Sequence, residues 1–188
     1  HNRPRMTATV IATPRLRLIP ATEAHLRASL EGRDQLAAAV GCAVPASWPP
    51  EHFDAAAVQY TLDWLKRYPR DAQWGFYYVE LPSDGGGPGT LVGAGGFKGA
   101  PDADGIVEIG YSVLPESQRK GYALEAVNGW VQFAFSQPKV RMICAHTLAT
   151  ALPSIGVLKK AGFRQTGSGH DPGAPAGSEV VRFELMKK

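Results

Sequence analysis

A single mixed α/β domain, with a mostly antiparallel sheet flanked by helices, is the fold class that the sequence predicts. Three observations carry it. Strand-like alternation and helix-like periodicity take turns along the whole chain. Three strand-like segments between residues 74 and 114 are joined by connections too short for parallel crossovers, so they form an antiparallel meander. A helix over about 121–135 then carries the chain to a further strand, and such a crossover implies parallel neighbours. The 188 residues, 44% hydrophobic and 20% charged, suit one domain with one sizeable core.

Met6 is a plausible native start, so residues 1–6 are expected to be a remnant of expression or a disordered N-terminus, and the domain is expected over 7–188. Arg15-Leu16-Arg17-Leu18-Ile19 alternates polar with apolar and stops at Pro20, which predicts the first strand. Thr22 can cap a helix carrying Leu26 and Leu30, and a second short helix runs from Asp34 through Leu36 and Val40 to Gly41. Pro45-Ala46-Ser47-Trp48-Pro49-Pro50 is irregular, because proline fixes φ and lacks a donor. Asp54 caps a clearer helix in which Val58, Leu62 and Leu65 share a face, with Pro69 beyond its end. The meander comprises Trp74–Leu81, Thr90–Lys98 and Ile106–Leu114. After the long helix, Val140–Thr147 reads as a strand, and Pro153, Lys159, Lys160 and Gly162 mark the start, last turn and cap of another helix. Phe163–Gly167 is a short strand, 168–178 a Gly/Pro-rich loop, and Glu179–Met186 the final strand.

Composition excludes several classes. Net charge is +3 and no block of like charges occurs, so the basic stripe that nucleic-acid binding needs is missing. No apolar run is long enough to span a bilayer. Cys42 and Cys144 lie in apolar surroundings and read as buried free thiols, which suits a reducing, cytoplasmic compartment. Cys144-Ala145-His146 directs two donors to one strand face, but no second pair accompanies them, so no metal is expected.

The passage Leu114-Pro115-Glu116-Ser117-Gln118-Arg119-Lys120-Gly121-Tyr122-Ala123 carries the chemistry. A strand ends, and a helix begins at a glycine. The first turn of a helix offers unpaired N–H groups and a positive dipole end, which favour an anion. Gly121 permits close approach, Ala123 keeps the next contact small, and Arg119 and Lys120 add two cations. The bland reading of the same string is a solvated loop before an ordinary helix.

Gln118-Arg119-Lys120-Gly121-Tyr122-Ala123 resembles the Gln/Arg-x-x-Gly-x-Gly/Ala signature of the GNAT N-acetyltransferase superfamily. Val107–Val113 resembles the preceding family strand, and Ser154–Phe163 the helix ending in Lys-x-Gly-Phe, particularly in the branch that includes ribosomal-protein alanine acetyltransferases. The close match covers about residues 106–165, and the order of elements extends it to the whole chain. The resemblance implies a GNAT-like acyl-CoA N-acyltransferase fold with splayed central strands. It implies acetyl-CoA as donor, with pantetheine along the backbone at Val113 and Leu114, and Gln118, Arg119, Lys120, Gly121, Tyr122 and Ala123 around the pyrophosphate. It implies transfer to a primary amine within a ternary complex.

By the same resemblance Glu108 is the candidate base, and its flanks Val107 and Ile109 are expected to desolvate it and raise its pKa. The tyrosine that many members carry as proton donor corresponds to Leu158 here, and their asparagine to Ala151, so both roles stand vacant. Ser154, expected near the cofactor sulfur, is the nearest polar candidate, with Tyr111 as an alternative. Gly41–His52 lies where relatives shape the acceptor site; Trp48, Trp64, Trp74, Tyr77 and Tyr78 either line that pocket or pack the core. The acceptor (a protein N-terminus, polyamine, amino acid or antibiotic) and a homodimer stay open. A degenerate acyl-CoA sensor without turnover is the alternative reading. A nucleotide-binding enzyme is a further one, although a Gly-x-x-x-x-Gly-Lys-Ser/Thr loop is lacking.

Overall fold

The structure is a computed structural model that describes residues 8–170 and 178–188. The N-terminal remnant expected at 1–6 and most of the Gly/Pro-rich loop lie outside the described residues. The elements run β1 (Ile11–Ala12), β2 (Arg17–Pro20), α1 (Glu23–Glu31), α2 (Arg33–Val40), α3 (Ala55–Arg67), β3 (Phe76–Leu81), β4 (Thr90–Phe97), β5 (Ile106–Val113), α4 (Tyr122–Phe135), β6 (Met142–Leu148), α5 (Leu152–Lys160), β7 (Arg164–His170) and β8 (Glu179–Met186).

Local chemistry explains the helix limits. The Thr22 hydroxyl accepts from the His25 N–H at 3.1 Å while His25 Nδ1 accepts from the Thr22 N–H, a reciprocal cap that starts α1. Asp54 Oδ1 accepts from the Ala57 N–H to open α3. Gly41, at φ 73°, ends α2 in the left-handed conformation. Beyond shifts of one or two residues at strand ends, two differences from expectation stand out. A short β1 precedes the first strand, held by Thr13, whose N–H and hydroxyl both donate to the Leu16 carbonyl. β7 runs to His170, because pairing with β8 continues past Gly167 to His170↔Glu179.

All eight strands form one sheet in the order β1-β2-β3-β4-β5-β6-β8-β7. β3, β4 and β5 are the antiparallel meander, and β5 and β6 are parallel, as a helical crossover requires. Each face carries its own core. On one, α4 and α5 bring Val127, Trp130, Ala134 and Leu158 onto Leu18, Tyr77, Val107, Ile109, Ile143 and Phe183. On the other, α1–α3 pack Leu26, Leu36, Val58 and Leu62 against Phe76, Tyr78, Leu91 and Ala94. The second core stops at β4, so the same face of β5, β6 and β8 lacks a helical cover among the described residues. There Glu108, His146, Arg182 and Glu184 are partly exposed.

Cys42 and Cys144 are both free and buried. Cys42 Sγ donates to Glu80 Oε2 at 2.9 Å, and Arg17 pairs with Glu80 Oε1 at 2.9 Å. The 5% exposed Glu80 carboxylate thus has partners on both oxygens, as burial demands.

Candidate active site

The sheet parts in its middle. β5 and β6 pair only from Ile106↔Met142 to Ile109↔Ala145. Beyond that point β5 stays on β4 as far as Val113, and β6 stays on β8 as far as Leu148. The Lys98 N–H donates to the Glu108 carbonyl and the Leu114 N–H to that of Val92, so even-numbered residues of β5 direct their backbone groups to β4. Strand geometry then aims those of Tyr111 and Val113 into the gap. Leu114 is different. Its N–H and C=O are spent on Val92 and Ser117, and its side chain is fully buried, so it stands behind the site rather than in it.

At the wide end of the gap lies the loop read as a phosphate cradle. A short 3-10 turn, Pro115–Ser117, brings the chain round. Arg119 (φ 63°) and Gly121 (φ 82°) both adopt left-handed conformations, turning the backbone sharply into α4. Gly121 occupies the N-cap, and no side chain bonds to the first N–H groups of α4. The first intrahelical bond runs from the Glu125 N–H to the Gly121 carbonyl. The helix start beside exposed Arg119 and Lys120 combines free N–H groups with positive charge, the chemistry that favours an anion. Gln118 Nε2 donates to the Val113 carbonyl at 3.0 Å, tying the loop to the strand.

Arg15 belongs here too, and nothing local in the sequence marks it. Its guanidinium pairs with Glu125 at 2.7 Å, donates to the Lys120 carbonyl at 2.9 Å and lies 4.9 Å from the Tyr122 ring centroid. It locks the first turn of α4 and adds a third cation beside it.

At the narrow end lies Glu108, one residue before the last paired position. Lys98 Nζ is 2.7 Å and His146 Nδ1 3.3 Å from its Oε2. Burial alone pushes the carboxyl up, but Lys98 and His146 outweigh it and hold the pKa below the ordinary value. The raised pKa expected from Val107 and Ile109 is therefore corrected: those neighbours point to the opposite, α4-side core, while Glu108 faces the Lys98 ammonium and the His146 imidazole. The sign for stability follows. A depressed carboxylate stabilises the fold above its unfolded pKa and loses that contribution as pH falls through the folded value. Glu108→Gln should flatten the acid limb of the urea-midpoint-versus-pH curve, by about 1 kcal/mol or less for this partly exposed pair. An unchanged acid limb would contradict the ion pair.

On the α5 side, the Tyr111 hydroxyl donates to the Ser154 carbonyl at 3.0 Å, and burial pushes its pKa up to about 12. Ser154 lies half-buried in the first turn of α5. Leu158 is wholly packed in the core, so the position read as a missing tyrosine serves packing. The structure brings Tyr111 and Ser154 together on this side of the sheet and Glu108 with His146 on the other. Of the aromatic residues, Trp74 and Tyr77 pack in the α4-side core and are excluded from the acceptor face. Trp48 lies over Tyr78 with ring centroids 6.1 Å apart on the α1–α3 side. Ser47 bonds to Glu116, joining the proline-rich segment to the cradle loop.

Known proteins share this fold. The family described as the acetyltransferase (GNAT) domain matches residues 15–164. An uncharacterized N-acetyltransferase of Bacillus subtilis strain 168, YjdG, is 38% identical over 73 residues, which cover 39% of this chain and 44% of that protein. The match thus spans less than half the relative's length. A GNAT-family acetyltransferase from Bacillus anthracis superposes with a TM-score of 0.64 at 20% identity, covering 95% of this chain and 99% of the other. RimL, a ribosomal alpha-N-protein acetyltransferase solved with coenzyme A, superposes at 0.66 with 14% identity over 95% and 98% of the chains. The structural likeness shows the fold, and the family match reaches from Arg15 at the cradle through Glu108 and Ser154 to the start of β7. The chain belongs to the GNAT acetyltransferase family.

Proposed function

We propose that the protein transfers an acetyl or other short acyl group from acyl-CoA to a primary amine by direct attack in a ternary complex. The parting of β5 from β6 above an uncapped α4 N-terminus carries this reading. A thioester arm laid in the gap meets the backbone groups of Tyr111 and Val113. Its pyrophosphate meets the N–H groups at Gly121, Tyr122 and Ala123, with Arg119, Lys120 and Gln118 around it. The Val113 carbonyl exchanges its Gln118 partner for the pantetheine amide. Ser154 from α5 and Tyr111 from β5 flank the sulfur end, and the Tyr111 hydroxyl, held by the Ser154 carbonyl, is the proton source for the leaving thiolate. Glu108, ionised and on the face away from α5, is the anionic group that meets the incoming ammonium.

The acceptor is assigned to the exposed face of β5 and β6 that carries Glu108, and RimL's action on a protein α-amine makes a peptide N-terminus the first amine to try. No described helix is long and apolar enough to cross a membrane. Two buried thiols suit a cytoplasmic setting.

Two measurements test the reading. CoA should raise the thermal midpoint while ATP and NAD do not; the reverse pattern would overturn the site. Acetyl-CoA should then release thiol in the presence of an Ala- or Ser-led peptide, or of spermidine, at rates that saturate with the amine. Tight CoA binding without amine-dependent release across a broad amine panel would instead favour an acyl-CoA sensor.

A further inference from the structure

The uncovered half of the sheet holds a pair of side chains that sequence spacing kept apart. Glu108 on β5 and His146 on β6 face each other at 3.3 Å from Oε2 to Nδ1. His146 is the first residue of β6 past the last pair, Ile109↔Ala145, so it sits where the gap opens. The corresponding next residue of β5 is Gly110. A Cβ built there would meet only the tip of Lys98 at 3.5 Å, which leaves space above the strand beside the imidazole.

Resting on the acyltransfer reading, we propose that His146 is the general base of the reaction and that Glu108 is its positioning residue. The carboxylate accepts from Nδ1–H and so selects the tautomer whose Nε2 lone pair is free, in a ring that is 35% exposed. Lys98, at 2.7 Å from the same oxygen, keeps that carboxylate ionised and ready to accept. An anion so stabilised is a weak proton acceptor, whereas the free Nε2 lone pair of the imidazole is open to an ammonium proton. Other groups facing the ring are Cys144 from its own strand and, from β8, its register partner Arg182, which is paired with Glu184.

The step balances as follows. The ammonium gives one proton to His146 Nε2, and the neutral amine attacks the thioester carbonyl, forming the C–N bond. The C–S bond breaks, the leaving thiolate takes a proton from the Tyr111 hydroxyl, which the second amine proton restores, and the imidazolium returns its proton to solvent.

The experiment uses the full chain, acetyl-CoA and an Ala-led peptide or spermidine. His146→Ala and His146→Gln should each lower kcat about 100-fold, the low end for a positioned general base, with KM for acetyl-CoA and the CoA thermal shift unchanged. Added imidazole should restore part of the His146→Ala rate, and the acid limb of the wild-type pH–rate profile should vanish in both variants. In 15N-histidine spectra the neutral wild-type ring should carry its proton on Nδ1, and Glu108→Gln should shift it towards Nε2. Rates within threefold of wild type, or a tautomer indifferent to Glu108→Gln, would overturn the proposal alone. A wild-type protein inactive with every amine would overturn the acyltransfer reading as well.

Discussion

Gly121→Val is expected to weaken CoA binding at least about 100-fold, close to 2.8 kcal/mol. Gly121 sits at φ 82°, a conformation that costs an L-residue about 1–2 kcal/mol and a β-branched one more. A Cβ there would also stand 3.1 Å from Arg15 Nη2. The side chain then has two bad choices. Kept in place, it crowds the cation that locks the first turn of α4; relieved by rotation, it turns the N–H groups of Tyr122 and Ala123 away from the anion. Gly121→Ala should show the same direction with a smaller loss. Isothermal titration with CoA reads both, and a valine variant binding within threefold of wild type would remove the cradle from the account. Thermal stability without ligand should fall as well, by roughly the 1–2 kcal/mol of backbone strain, so affinity is read on protein shown to be folded.

Trp130→Ala should cost about 3–5 kcal/mol, the largest stability loss expected of a single substitution here. Trp130 is completely buried on α4, with its ring 6.0 Å from that of Tyr77. A Cβ at Gly95 would fall 2.5 Å from Trp130 Cη2, so β4 carries a glycine where the indole lies on the strand. Truncation leaves a cavity that neither the glycine nor the paired strands around it can fill. Among the described residues the buried indole Nε1 has no hydrogen-bond partner. Trp130→Phe therefore sacrifices no bond and should cost much less than Trp130→Ala. Urea denaturation distinguishes the two. A phenylalanine variant as unstable as the alanine one would show that the indole nitrogen matters after all.

Much of the fold was legible because it is written in local signals. Thr22, Asp54 and Gly41 mark helix ends through bonds made within a few residues, and short connections force the meander to be antiparallel. The loop and glycine start of α4 were legible for the same reason, and they are what the proposed anion site is built on. Charges drawn together across the sheet were not. Arg15 reaches Glu125 across 110 residues, and Lys98, Glu108 and His146 meet because three segments lie side by side. That meeting reversed the expected shift of Glu108: its sequence neighbours are apolar, but strand alternation sends them to the other face. Leu114, inside the same motif, spends both backbone groups on Val92 and Ser117, which its local sequence does not announce. Trp74 and Tyr77 look like pocket residues by type and pack in the core by register.

The divided sheet has a consequence for motion. Five strands on one side and three on the other are joined edge to edge through Ile106–Ile109 and Met142–Ala145. That short joint is a natural pivot. The amides of Tyr111 and Val113, interior by position, have no neighbouring strand to protect them and should exchange with solvent like those of a sheet margin. A molecule laid between the two halves would act as the absent strand, slowing that exchange and stiffening the pivot together. Deuterium uptake at these two amides is thus a direct gauge of occupancy, readable before any acceptor is known.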